Sequence, residues 1–255
     1  AILGLLVWVV MLPQLALFFR NRPEDIGQAV DGVRIIEVDD AQDTTPRSAS
    51  LVGASRVAYD LKGAVRTRAY WILLLMNAIW GMVITAITFN ILPLFMSRGL
   101  AEGNAVAILA AMSISSAAFQ IIAGILADRV PLNLLLSLGY LAMTAGVGFL
   151  VVLGSVIMGY AFAIFIGIGS ALLSAVSATV WVRYYGRKHL GKIRGSVWTA
   201  TVAASSLGPF LMGVTYDQFN AYTPVLVFFL SLFAVMMVAT MFATPPKPIS
   251  ADKPT

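Results

Sequence analysis

Long apolar runs, each closed by a polar or basic cluster, recur along the whole chain. Phe19, Met96, Ala127, Leu153, Val182, Thr215 and Thr244 close seven of them. Each run is near the ~20 residues that a helix needs to cross a bilayer. The pattern predicts an all-α membrane protein. Its first span, residues 1–19, has no charged leader and stops at Arg20 and Arg22, so it reads as a membrane helix and not a signal peptide. With no initiator Met ahead of it, the chain reads as a fragment whose upstream part is missing. Six further spans are expected near Trp71 to Met96, Ala105 to Ala127, Leu132 to Leu153, Ser155 to Val182, Gly195 to Thr215 and Tyr222 to Thr244. They divide as three plus three, and because three is odd the triplets run in opposite directions, the topology of an inverted repeat.

Charge then orients the spans. Of the 17 Lys and Arg residues, all but Arg98 fall in alternate gaps: Arg20 to Arg68, Arg129, Arg183 to Arg194, and the tail beyond Thr244. By the positive-inside rule those gaps are cytoplasmic, and the expected setting is a bacterial inner membrane. Hydrophobic residues make up 59% of the chain and charged ones 11%, which excludes a soluble domain. The net charge of +5 follows from topology and from contact with anionic lipid, so nucleic acid is not an expected partner. No cysteine is present, which removes disulfides, thiolate catalysis and Cys-based metal sites.

Residues 20–70 break the apolar pattern with Pro23, Gly27, Gly32, Pro46 and several acids, as a cytoplasmic central loop would. Near 56–68, Val57, Leu61, Ala64 and Val65 recur at helical spacing beside basic residues, which predicts an amphipathic helix at the membrane surface. The six-span bundle then covers 71–244, and 245–255 form a cytoplasmic tail. Tyr70, Trp71, Trp181, Tyr184, Tyr185, Tyr216 and Tyr222 lie near span ends, where aromatics anchor helices at the interface.

None of the 12 acids lies in the middle of a span, and no Lys, Arg or His interrupts an apolar run. A charge at mid-membrane is costly and usually functional, so any proton-coupling group is expected elsewhere. His189 sits in a basic loop and reads as solvated. The polar content of the spans is neutral and striped: Asn77, Gly81, Thr85 and Thr88; Ser113, Ser116, Gln120 and Gly124; Ser170, Ser174 and Ser177; Thr199, Ser206 and Gly213 with Trp198 beside them. Small residues at such spacing serve close helix packing or line a cavity. The amides Asn77, Asn90 and Gln120 must find partners or water. Two spans, Leu132 to Leu153 and Tyr222 to Thr244, have few polar side chains and suit lipid-facing positions. Pro93, Pro209 and the stretch Gly167 to Gly169 offer bends.

Gly124, Ile125, Leu126, Ala127, Asp128 and Arg129 end a span at a tight turn and resemble the G-x-L-a-D-R core of the major facilitator signature. Leu17 to Gly32 (LFFRNRPEDIGQAVDG) resembles the exit from the sixth helix of bacterial facilitators, and Arg183 to Gly195 (RYYGRKHLGKIRG) their tenth-to-eleventh helix loop. The resemblance is closest to the monocarboxylate-porter-like and oxalate/formate-antiporter-like branch. It implies the end of helix six, the central loop and helices seven to twelve of such a transporter. Two departures stand out. Val130, Pro131, Leu132 and Asn133 replace the usual Gly and basic pair after Asp128 and Arg129, and the cationic residues that the branch places in helices eight and eleven have no match in the expected spans.

The resemblance implies a secondary transporter working by alternating access on a small organic solute such as a monocarboxylate, without cofactor or metal. A drug or metabolite efflux facilitator, and a transporter-like sensor or scaffold, are the alternatives. A membrane-embedded enzyme would need a nucleophile with its base, paired carboxylates or metal ligands in the spans, and none is present. The implied partners are lipid, a small-molecule substrate and a missing N-terminal six-helix half. Asn77, Thr85, Thr88, Gln120, Ser174 and Trp198 are the expected substrate contacts. Gly124, Asp128, Arg129, Arg183 and Arg194 are the expected gating motif, with Asp128 as the latch.

Overall fold

The computed structural model describes residues 59–246 and, alone upstream, Pro13. The expected first span and most of the central loop therefore lie outside the described residues. Seven helices are present among those described: α1 Leu61–Val65, α2 Arg68–Ser97, α3 Glu102–Arg129, α4 Leu132–Val151, α5 Val156–Tyr185, α6 Leu190–Phe219 and α7 Thr223–Met241. The last six are long and apolar enough to cross a membrane. At a rise of about 1.5 Å per residue even α7, with 19 residues, reaches nearly 30 Å. Four of the helix starts follow from local chemistry. Asp60 Oδ1 accepts the Gly63 N–H at 2.7 Å, Thr67 Oγ1 accepts the Tyr70 N–H at 3.3 Å, and Ser155 Oγ accepts the Met158 N–H at 3.4 Å. Pro224 opens α7, where its missing N–H costs nothing. Gly186 at φ 78° and Asn220 at φ 49° end α5 and α6 in conformations that few other residues adopt.

Helix pairing reflects the two triplets. α3 lies along α5, and its counterpart α6 lies along α2, so each triplet lends a helix to the other. The counterpart relation fails elsewhere: α4 packs extensively on α5, while α7 touches α2 only lightly. Close approach explains the two lengthwise pairs. A Cβ on Gly208 of α6 would strike the Met82 carbonyl of α2, and one on Gly167 of α5 would sit 2.6 Å from the Ser115 side chain of α3. Gly167 therefore works as a contact surface between α5 and α3.

Several expectations change here. α4 is not a lipid-facing edge: half of its membrane window is buried, and Leu135, Leu136, Tyr140, Met143, Val147 and Leu150 have no exposed surface. Lipid tails and a bundle core are equally apolar, so an apolar helix suits either place. Polar side chains tie α4 inward, with the Tyr140 hydroxyl donating to the Met76 carbonyl at 2.7 Å and Ser137 to the Met237 carbonyl at 2.8 Å. Tyr70, Trp181, Tyr184 and Tyr185 are buried as well and do not anchor in lipid. They form an aromatic floor at the basic end: Trp181 stacks on Tyr185, and Tyr70 and Tyr59 meet these two rings edge-on. Trp71 alone of that group is half exposed, with its indole N–H donating to Val65. The amphipathic helix expected near 56–68 is, among described residues, the five-residue α1, which turns at Arg66 and Thr67 into α2.

Candidate functional site

A cavity of about 240 Å³ opens between α2, α5 and α6, toward the basic end of the bundle. Its walls are Asn77 and Trp80 of α2, Ser174, Ser177, Ala178 and Trp181 of α5, and Arg194, Val197, Trp198 and Thr201 of α6. The α5 and α6 sets each follow the i, i+3, i+4, i+7 spacing of one helical face. Arg194 belongs to this face because α6 begins at Leu190, five residues before the expected start. A polar first turn reads as loop in a hydropathy profile, which is why sequence reasoning placed Arg194 in a gate and found no cation on this helix.

The hydrogen-bonding balance of the cavity is lopsided. Asn77 Oδ1 accepts the Ser177 hydroxyl at 2.9 Å, and Asn77 Nδ2 donates to the Leu73 carbonyl at 2.9 Å, which leaves one amide hydrogen free. The Thr201 hydroxyl is spent on the Val197 carbonyl. Trp80 Nε1 is buried and has no acceptor among the described residues. Arg194 and Ser174 have no side-chain partner among the described residues, and none of the described lining residues is an acid. The free capacity is therefore mostly that of donors, with one guanidinium among them and three indole rings as walls. Such a site complements a ligand that brings acceptors or negative charge and a flat apolar body.

The structure brings together only part of the expected contact set. Asn77, Ser174 and Trp198 line the cavity; Thr85 and Thr88, further along α2, do not, and Thr88 is exposed. Gln120 is exposed on α3 and, with Ser113, Ser116 and Ser170, borders a separate open depression of about 400 Å³. Asn90 donates to its own helix at Ala86. Of the α6 stripe, Thr199 and Ser206 bond within their own helix on its exposed side, while Thr201 and Ser205 meet Gly81 of α2. Trp80 and Thr201 were missed; their sequence signal is i+3 spacing from Asn77 and i+7 from Arg194.

At the basic end of α3, Asp128 pairs with Arg183 of α5 at 2.8 Å, and the same guanidinium donates to the Ala127 carbonyl at 2.9 Å. Arg183 thus meets both the carboxylate and the negative end of the α3 dipole. Arg194 takes no part in this pair. Gly124 and Arg129 are exposed, and a Cβ on Gly124 would meet nothing within 4 Å. At the opposite end Arg98 donates to the Val151 carbonyl at 3.3 Å and to the Thr223 hydroxyl at 2.9 Å, so the lone basic residue on that side staples α2 to the ends of α4 and α7.

A search of curated proteins finds no match. Residues 91–255, well over half of the chain, match the family model of the Major Facilitator Superfamily. With six membrane-length helices in two triplets and that match, the chain belongs to the Major Facilitator Superfamily, a family of secondary transporters of the membrane.

Proposed function

We propose that the chain is the C-terminal half of an alternating-access transporter for a small organic anion, most simply a monocarboxylate, with Arg194 as the charged contact. The carrying observation is Arg194 in a donor-rich cavity with no carboxylate among its described lining residues. Asn77, Ser174, Trp80 and Trp198 complete the contacts, and Thr85, Thr88 and Gln120 belong to the wider passage formed with an N-terminal six-helix half. The basic end is cytoplasmic in this reading, consistent with a bacterial inner membrane. Asp128 and Arg183, with Gly124 and Arg129 beside them, form a brace whose rupture accompanies opening on that side.

Three cavity tryptophans make binding directly readable. Titrating the detergent-solubilised protein with an aromatic monocarboxylate should quench tryptophan emission saturably, while the neutral amide of the same compound should not. Equal quenching by acid and amide would remove the charge from the reading and favour the alternative that the indole walls also suit, an efflux facilitator for flat neutral compounds.

A further inference from the structure

A second basic niche lies away from the cavity, between the start of α2 and the end of α7, and has a volume of about 330 Å³. Arg68, Ala69, Met241, Phe242 and Thr244 are among the residues that line it. Both walls are held in place. Thr67 shares a 2.9 Å hydrogen bond with the Tyr185 hydroxyl, and the Tyr184 hydroxyl donates to the Ala243 carbonyl at 2.8 Å. Arg68 lies over the Phe242 ring at 5.2 Å, and the one ion pair among the described residues is elsewhere. Among the described residues that line the niche there is one cation, Arg68, and no carboxylate. Exposed apolar side chains follow on the same face of each helix: Trp71 and Leu75 on the Arg68 face of α2, Val238 and Val235 on the Phe242 face of α7, each between 47% and 64% exposed.

We propose that this niche binds one anionic phospholipid, with its phosphate on Arg68 and Thr244 and its acyl chains along the two apolar stripes. A zwitterionic lipid offers the same chains but no net charge, and a free phosphate ester offers charge without chains; only the anionic lipid matches both parts. The occupant is therefore a lipid of the basic-side leaflet and not a soluble metabolite. The test is native mass spectrometry of the purified full chain in detergent, titrated with phosphatidylglycerol, phosphatidylcholine or glycerol 3-phosphate. The expected result is a retained phosphatidylglycerol adduct whose affinity falls about fivefold in Arg68→Gln, is largely kept in Arg68→Lys, and is unchanged in Lys188→Gln. Equal retention of the two lipids, competition by glycerol 3-phosphate at lipid-like concentrations, or equal losses in Arg68→Gln and Lys188→Gln would overturn it.

Discussion

Arg194 and Trp80 concentrate the chemistry of the cavity, and each makes a distinct forecast. A charge-assisted hydrogen bond is worth about 1.5 to 3 kcal/mol, so Arg194→Gln should weaken carboxylate binding roughly ten- to a hundredfold in the fluorescence titration. Trp80 carries a buried donor with no acceptor among the described residues, which costs about 1 to 3 kcal/mol while it is unmet. Trp80→Phe removes that donor while keeping most of the ring, so the ligand-free variant should melt no lower than the parent. It should also lose part of the stabilisation that the carboxylate confers; a clear fall in the ligand-free melting temperature would show instead that the ring is needed for packing alone. These two residues also mark the limits of reading the sequence. Asn77, Ser174 and Trp198 were legible as polar or aromatic breaks in apolar runs, whereas Trp80 sits among apolar neighbours and its unmet N–H exists only once three helices converge.

Among the helices, close packing is tightest where glycine stands against a neighbour's backbone. Gly208→Ala would drive a methyl group into the Met82 carbonyl and should destabilise the bundle by about 1 to 3 kcal/mol, read as a lower melting temperature in detergent. Gly213→Ala, on the same helix but with open space around it, should be neutral or stabilising by up to about 1 kcal/mol. Similar losses at both positions would mean that helix propensity and not the α2 contact sets the outcome. The Asp128 and Arg183 pair is exposed, with side chains 75% and 44% accessible, so its worth to stability should stay below about 1 kcal/mol. If it serves as a brace between states, Asp128→Asn should change the accessibility of a reporter Cys at Ser177 in the full-length transporter while leaving the melting temperature nearly unchanged. Unaltered accessibility would leave a solvated surface pair. The six membrane helices were legible from hydropathy to within a few residues, apart from the polar start of α6. Their neighbours were not, because apolar length reports a span and says nothing of which face meets protein; α4 and the buried aromatic floor show this most plainly.

At the scale of the whole molecule, α3 and α6 are the least covered helices, with 11% and 17% of their membrane windows buried against 50% for α2 and α4. Ile114, Ile121, Trp198, Val202 and Phe210 are all more than half exposed on them. These open sides fit a bundle that meets a second six-helix half across a central passage, the arrangement expected of a facilitator. The chain reconstituted alone should therefore show no saturable flux, and a Cys at Gln120 should react with a small water-soluble thiol reagent; labelling at Ile121 or Ile122 without labelling at 120 would reverse the assignment of the α3 face. Uptake of a labelled monocarboxylate into proteoliposomes by the full-length transporter, with and without Arg194→Gln, tests the central claim most directly. Saturable uptake by the parent and a loss of roughly ten- to a hundredfold at limiting substrate in the variant are expected. Undiminished carboxylate uptake by Arg194→Gln, or transport by the parent of neutral solutes alone, would contradict an anion site built on that residue.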